Sequence, residues 1–254
     1  MENSLKRLLK PLVIGLGRRV EERAFTGRPI IIGACPRSGT TLLLSMLDAH
    51  PHIHGIRKQT YAFTRWDEEG RPIRLDRLYR QLLLHRPGPD CVRWCEKTPK
   101  NVQHFGRILS WFDGGARLVH MVRDGRDVVT SRHPRHRPDQ YWVSVDRWVA
   151  DVRAGLAFAD SPLVHTVRYE DLIDDFRSEM RRLLDFLDEP VTPEVMDWLA
   201  HTSIKRSRHW AQPAQELHSR AVGKWARPEH RQRLDEFMAD GEAVAIGEKL
   251  GYLS

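Results

Sequence analysis

Residues 29–43, with the sequence PIIIGACPRSGTTLL, decide the fold of this 254-residue chain. Positions 29–34 form an apolar run of strand length, and positions 40–49 carry apolar side chains at helical spacing. Between the two lies the glycine-containing turn CPRSGTT. The pattern predicts a buried strand, a tight turn and a helix in direct succession.

This turn has the composition of an anion site. A strand that leads through a turn into a helix aims backbone N–H groups and the positive end of the helix dipole at one point. Gly39 lets the backbone approach an anion closely, Arg37 adds a planar guanidinium, and Thr40 and Thr41 add hydroxyl donors. An ordinary turn with a capping threonine is the alternative, but the combination favours binding of a phosphate or sulfate.

The rest of the chain alternates short apolar runs with amphipathic stretches, which is typical of βαβ units around a parallel sheet. The other predicted strands are 92–96, 117–122 and 163–168, and the other predicted helices are 101–112, 178–187, 193–201 and 228–250. We therefore expect an α/β, three-layer P-loop-type fold with a central parallel sheet flanked by helices. We expect one domain over 27–254, after a basic N-terminal segment over 1–26.

The formal net charge of +7 favours an anionic partner, such as a nucleotide, a phosphorylated or sulfated ligand, nucleic acid or an anionic membrane. The basic residues are spread over separate loops without a nucleic-acid-binding motif, so we expect no nucleic acid partner. No apolar run approaches the ~20 residues that span a bilayer. The N-terminal segment is expected to be a basic amphipathic helix, packed on the domain or lying loose, with contact to a membrane surface as the alternative.

The cysteines are Cys35, Cys91 and Cys95. An odd, low count does not form a disulfide framework, and no second Cys or His pair completes a zinc-type spacing. We expect three free thiols in a reducing compartment, the cytoplasm.

A second anion site is predicted in residues 117–132, RLVHMVRDGRDVVTSR. Arg123 ends a predicted parallel strand, where open sheets bind ligands. Ser131 follows eight residues later, about two helical turns along the next element. The two side chains could together hold a second phosphate, with a solvated turn as the alternative.

The loop departs from the Walker A pattern of nucleotide kinases. That pattern requires a Lys after the second Gly, and Thr40 stands there instead. Kinases and ATPases also hold magnesium with an acidic residue at the end of a later strand, whereas this chain has Arg123. A P-loop nucleotide kinase is therefore the second hypothesis, and a requirement for magnesium and ATP would distinguish it.

PRSGTT after one strand and VRDGRDVVTS after another resemble the PAPS-dependent sulfotransferases, where PAPS is 3'-phosphoadenosine-5'-phosphosulfate. The resemblance is closest to the tyrosylprotein sulfotransferase branch and its bacterial relatives. EKTPKN, VRYEDLI, SIKRS and VGKW follow in that branch's order, so the resemblance covers most of the chain. It implies sulfuryl transfer from PAPS to an acceptor hydroxyl without a metal, with release of 3'-phosphoadenosine-5'-phosphate (PAP).

The resemblance also implies residue roles. The 5'-phosphosulfate would be held by Arg37, Ser38, Gly39, Thr40 and Thr41. The rest of the nucleotide site would be Arg123, Ser131 and Arg135 at the 3'-phosphate, with Tyr169 and Lys224. The catalytic residues would be Arg37, Lys97 and Ser203, which would stabilise the transferring group.

One position departs from the family. Relatives place a Glu before a Thr as general base, and this chain has Gln59, which can orient a hydroxyl but cannot take its proton. Three residues could replace that base, namely His52, His54 and Glu96. Otherwise the acceptor is acidic enough to need little help, or Arg57 and Lys58 attract an anionic acceptor.

The acceptor itself is left open by the sequence. A phenol, a peptide tyrosine, a sugar or a natural-product alcohol would each fit. Gln59 also keeps open a third hypothesis, a catalytically inactive PAPS-binding module.

Overall fold

A computed structural model of the chain describes residues 2–132, 140–205 and 221–253, with the side chains of the first helix described from Leu8 onward. Five parallel strands form one sheet in the order β2-β3-β1-β4-β5. Their bounds are β1 Ile30–Ala34, β2 Ile53–Gly55, β3 Arg93–Lys97, β4 Arg117–Val122 and β5 Val164–Arg168. Because all pairs are parallel, the five carboxyl ends meet at one edge of the sheet.

Helices cover both faces of the sheet. Along the chain they are α1 Glu2–Ala24, α2 Thr40–Leu47, α3 Leu75–Leu84, α4 Phe105–Trp111, α5 Gly125–Val129, α6 Val145–Leu156, α7 Tyr169–Asp174, α8 Phe176–Phe186, α9 Pro193–Met196, α10 Trp198–His201, α11 Arg231–Ala239 and α12 Gly241–Lys249. Short 3₁₀ segments occupy Pro99–His104, Lys224–Ala226 and Pro228–His230.

The central strand β1 shows why the layers form. All five of its residues are buried, as expected for a strand covered on both faces. Ile30 and Ile32 pack with residues of α2 and α8 on one face, and Ile31 packs with Val102 and Phe105 on the other. The predicted three-layer α/β fold with a central parallel sheet is confirmed.

Most predicted elements are confirmed with small shifts of their ends, but three predicted helices are divided. Residues 101–112 begin as a 3₁₀ segment, because the Asn101 side chain turns inward to donate to the Ile32 carbonyl at 3.2 Å and to Glu96 at 2.7 Å. Residues 228–250 break at Asp240, whose carboxylate caps α12 by accepting from the N–H groups of Glu242 and Ala243. Residues 193–201 likewise form two separate turns, α9 and α10.

Helix α1 packs on α3, so the N-terminal segment lies against the domain. A Cβ on Gly17 would lie 2.2 Å from Cβ of Tyr79, so glycine is what permits this close approach. The Glu21 carboxylate accepts from the Tyr79 hydroxyl and from Nε1 of Trp94, both at 2.8 Å. Of the helices that the structure describes, none is long and apolar enough to cross a membrane.

Candidate functional site

The anion-binding loop lies at the carboxyl edge of the sheet, between β1 and α2. Arg37 and Gly39 both have left-handed backbone, with φ of 77° and 94°. Left-handed residues between right-handed ones turn successive N–H groups to one side, which is how loops make anion-binding concavities. A Cβ on Gly39 would lie 2.6 Å from Cδ2 of Tyr169 and 2.9 Å from Cε of Met121, so both the backbone and the packing require glycine.

Side chains around this loop are buried and polar. The Ser38 hydroxyl is buried and has no hydrogen-bond partner among the described residues, which fits an oxygen-rich ligand. Lys97, the last residue of β3, is 3% exposed, and its Nζ donates to Thr41 Oγ1 at 2.8 Å. The register that pairs Lys97 with Ile32 of β1 brings this lysine to the loop. The structure therefore places Lys97 beside the loop.

Arg123 connects the second predicted motif to the loop. It follows β4 directly, and its Nη1 donates to the Arg37 carbonyl at 3.1 Å. Its guanidinium carbon lies 4.4 Å from the centre of the Tyr169 ring. Burial, and then the charge of Arg123, lower the pKa of Arg37, which shows that two cations are held close together. Such a pair is stabilised by an anion placed between the two groups.

Lys224 is brought to the same cluster by Asp127. This carboxylate is 2% exposed. It accepts from the N–H of Gly223 at 2.9 Å and from the N–H of Trp225 at 3.1 Å, so it holds the backbone on both sides of Lys224. It also accepts from Arg123 at 3.4 Å. Partial burial and then the charge of Arg123 lower the pKa of Lys224. Asp127 was not predicted as a site residue; its position four residues after Arg123, at the start of α5, was the available signal.

The remaining predicted nucleotide residues divide into two groups. Tyr169, the first residue of α7, lies over Gly39 and against Arg123, so it belongs to the cluster. The Ser131 hydroxyl is half-buried and donates to the Asp127 carbonyl at 2.7 Å, which places it just beyond the end of α5. Arg135 lies outside the described residues.

The structure does not bring Ser203 to this cluster. Its hydroxyl and its N–H both donate to Oδ2 of Asp48, at 2.7 and 2.8 Å. Asp48 caps the carboxyl end of α2, whereas the loop lies at the amino end of that helix, one eight-residue helix or ~12 Å away. In this arrangement Ser203 fastens the segment after α10 to α2, and we give it no catalytic role.

The two histidines considered as bases lie away from the loop. His52 precedes β2, and its Nδ1 lies 2.7 Å from Oε2 of Glu189 at the opposite, amino edge of the sheet. His54 lies within β2 beside Phe25, and burial lowers its pKa.

Glu96 lies at the correct edge, next to Lys97, but its carboxylate is fully buried and occupied. Its Oε1 accepts from the N–H and hydroxyl of Thr60 and from the Thr98 hydroxyl, and its Oε2 accepts from Asn101. Glu96 therefore fixes the segment that carries Gln59 rather than facing a reactant.

Gln59 is half-buried, and its Oε1 accepts from the Tyr61 hydroxyl at 2.9 Å. The Tyr61 N–H in turn donates to Thr98, one residue after Lys97. These contacts set the amide in place beside the end of β3. Neighbouring Arg57 and Lys58 are exposed.

Among the described residues, His50, His52 and Glu189 are close enough to share a metal ion. The nitrogens of His50 already bond to the Pro190 carbonyl and to the His52 N–H, and Arg93 pairs with Glu189 at 2.8 Å. This group is a connected structural network at the amino edge, separate from the anion-binding loop.

The family follows from a direct comparison. A family model described as the sulfotransferase family matches residues 29–193, which are more than half of the chain and include both anion-binding motifs. The chain belongs to this family, whose members are enzymes.

Protein-tyrosine sulfotransferase 1 of Danio rerio is 29% identical over 201 residues, which cover 66% of this chain and 55% of that protein. The match covers 68% of the putative protein-tyrosine sulfotransferase of Caenorhabditis briggsae and 39% of the protein-tyrosine sulfotransferase of Drosophila melanogaster.

Solved structures of similar fold are also sulfotransferases. The sulfotransferase domain from the curacin biosynthetic pathway has a TM-score of 0.56 at 18% identity, covering 91% of this chain and 100% of the domain. A mouse sulfotransferase solved in complex with PAP has a TM-score of 0.53 at 16% identity, covering 92% of each chain. At this level of identity the likeness establishes the fold.

Proposed function

We propose that this protein transfers a sulfuryl group from PAPS to an acceptor hydroxyl. The observation that carries the proposal is the contact between the two predicted anion motifs: Arg123 donates to the backbone of Arg37, and the Tyr169 ring lies against Gly39 and Arg123. Two cationic motifs joined in this way suit a donor that carries phosphates at both its 3' and 5' positions. Membership of the sulfotransferase family supports the same donor.

The donor would lie along the carboxyl edge of the sheet. Arg37, Ser38, Gly39, Thr40 and Thr41 would hold the 5'-phosphosulfate, at the amino end of α2. The 3'-phosphate and the base would be held by Arg123, Ser131, Tyr169 and Lys224, with Arg135 expected to join them.

The chemistry requires in-line geometry and neutralisation of the charge that develops on the leaving phosphate. The acceptor hydroxyl loses its proton to solvent, its oxygen forms a bond to sulfur, the bond from sulfur to the phosphate oxygen breaks, and PAP leaves with the electron pair of that bond. Lys97 would neutralise the charge that develops on the bridging oxygen, because its ammonium is buried beside Thr41, and Arg37 would contribute to the same neutralisation. Because fixed cationic side chains can stabilise this charge, we propose transfer without a metal.

The acceptor is proposed to be a phenolic hydroxyl. Gln59 can accept a hydrogen bond but not a proton, and Glu96 is fully occupied, so no described carboxylate is placed to act as a strong base. A phenol, with a pKa near 10, loses its proton far more readily than an alcohol. The relatives named protein-tyrosine sulfotransferases support a phenolic acceptor, and the exposed Arg57 and Lys58 would favour one with anionic neighbours.

The proposed location is the cytoplasm, because three free cysteines fit a reducing compartment.

Replacing Lys97 by Ala tests the proposal. PAP release is measured with PAPS, with 2-naphthol or a tyrosine-containing acidic peptide as acceptor, and with EDTA present. We expect Lys97→Ala to lower kcat by roughly 10²- to 10³-fold while changing PAP affinity only a few-fold. The exposed Lys100→Ala is the matched control and should behave as the wild type.

Two results would overturn the proposal. Tight PAP binding without transfer to either class of acceptor would indicate an inactive binding module. Equal loss of PAP binding and transfer in Lys97→Ala would remove the role assigned to this residue.

A further inference from the structure

Helix α1 has a second face that its packing leaves uncovered. The inner face packs on the domain through residues that include Val13, Gly17 and Glu21. The opposite side carries four exposed leucines: Leu8 at 76%, Leu9 at 45%, Leu12 at 57% and Leu16 at 42%. We call these four residues the leucine face. A single exposed leucine needs no explanation, but four on consecutive turns of one helix form a contiguous apolar surface.

Cations lie at both ends of the leucine face. Arg18 and Arg19 follow it and are exposed, and the sequence places Lys6 and Arg7 before it. The whole helix carries six basic and three acidic residues. One of the acids, Glu21, is turned inward to Tyr79 and Trp94. The outer surface of α1 therefore combines leucines with an excess of positive charge.

Two contacts fix the orientation of α1 on the domain. Glu21 contacts Trp94, near the start of β3, whereas Nζ of Lys10 donates to the carbonyl of Ile73 at 2.6 Å, just before α3. The carboxyl end of α1 therefore lies near the amino edge of the sheet. Leu8 precedes Glu21 by thirteen residues, or ~20 Å along the axis.

We propose that the leucine face docks this protein on an anionic lipid membrane, with α1 lying in the plane of the interface. Leucines enter the boundary between headgroups and acyl chains, and the flanking arginines and lysines meet anionic headgroups, which is the composition of interfacial helices. Each basic residue near such a surface strengthens the binding. The inference is independent of the proposed function, since it concerns α1 and not the donor site.

A second copy of the chain is the competing occupant, and the charges disfavour it. Two copies paired antiparallel about Leu12 would align position 6, a lysine, with position 18, an arginine. A parallel pair would set Arg18 and Arg19 of one helix beside the same residues of the other. Like charges juxtaposed in this way oppose association, whereas an anionic bilayer neutralises both ends of the face at once.

Vesicle flotation tests the inference with the whole 254-residue chain. We expect binding to vesicles of phosphatidylcholine with 30% phosphatidylglycerol, and much weaker binding to phosphatidylcholine alone. The triple variant Leu8→Gln, Leu12→Gln and Leu16→Gln should bind the anionic vesicles at least about tenfold less, because it loses the apolar contact. It keeps every charge, so cations elsewhere on the protein cannot explain a loss.

Met238→Gln is the matched control, since it removes an exposed apolar side chain from α11. It should bind vesicles as the wild type does. Absence of binding to the anionic vesicles, or equal binding by the triple variant, would overturn the proposal. A dimer of the wild type in sedimentation velocity that is absent in the triple variant would also overturn the proposal, because the leucine face would then be an interface between copies.

Discussion

Replacing Asp127 by Asn should weaken PAP binding, although we assign this carboxylate no contact with the donor. Asp127 holds the chain on both sides of Lys224 through the N–H groups of Gly223 and Trp225. Asn keeps the shape and one acceptor oxygen, but it loses the charge and sets an NH₂ against one of the two N–H groups. A hydrogen bond to a charged group is worth about 1.5–3 kcal/mol, so loss of one bond corresponds to roughly 10- to 150-fold in affinity.

A double-mutant cycle measured by calorimetric titration with PAP gives the decisive result. If Asp127 acts by positioning Lys224, then Asp127→Asn combined with Lys224→Ala should bind PAP no more than about threefold weaker than the weaker single variant. Asp124→Asn is the control. This carboxylate caps α5 and, like that of Asp127, is buried, but it bonds to Arg126 rather than to the Lys224 segment. Its effect should multiply with that of Lys224→Ala.

Independent, multiplying effects of Asp127→Asn and Lys224→Ala would refute the reasoning. Wild-type affinity in Asp127→Asn would do the same. Thermal unfolding of each variant separates a loss of the site from a loss of the fold.

Three further predictions concern stability, the loop and the base. Burial holds the pKa of His120 at about 4, against 6.5 in the unfolded chain, so the folded state disfavours the proton. The free energy of unfolding should therefore fall by about 3 kcal/mol from this group as the pH drops from 6.5 to 4, and His120→Leu should remove that part of the slope in urea titrations. Gly39→Ala should abolish measurable PAP binding because its Cβ would meet Tyr169. Gly70→Ala, equally left-handed but with open space around it, should leave PAP binding unchanged. Gln59→Glu should raise the rate of transfer to aliphatic alcohols at least about tenfold and the rate to phenols much less. An equal increase with both kinds of acceptor would contradict the view that the wild-type protein has no general base at this position.

The anion-binding loop and the order of the main elements could be predicted because their signals are local. Fifteen residues contain the three features that matter: an apolar run, a glycine that allows a left-handed turn, and the start of a helix. Strand β2 was missed because Ile53–Gly55 is only three residues long and shows no period. The start of the helix predicted at 101 was wrong because Asn101 uses its side chain on Ile32 and Glu96, two contacts that depend on the assembled sheet.

The parts of the site that were missed depend on distant contacts. Asp127 accepts from the N–H of Gly223 across 96 residues of sequence, and no neighbouring residue in the sequence indicates this particular contact. Ser203 was placed by order along the chain, yet Asp48 holds it at the far end of α2 across 155 residues. Local patterns therefore identify which residues can bind an anion, while packing decides which of them meet.

The measurement that tests the central claim most directly is a titration with PAP in EDTA, compared with ATP in magnesium. We expect tight, metal-independent binding of PAP that weakens by at least roughly 30-fold in Arg123→Ala, since a charge-assisted contact is worth about 2 kcal/mol or more. Arg117→Ala is the matched control. Arg117 begins the same strand at the opposite edge and bonds to Phe186 and Asp188, so its loss should leave PAP binding unchanged. Absence of PAP binding, together with magnesium-dependent binding of ATP, would contradict the assignment of the donor site and favour a nucleotide kinase.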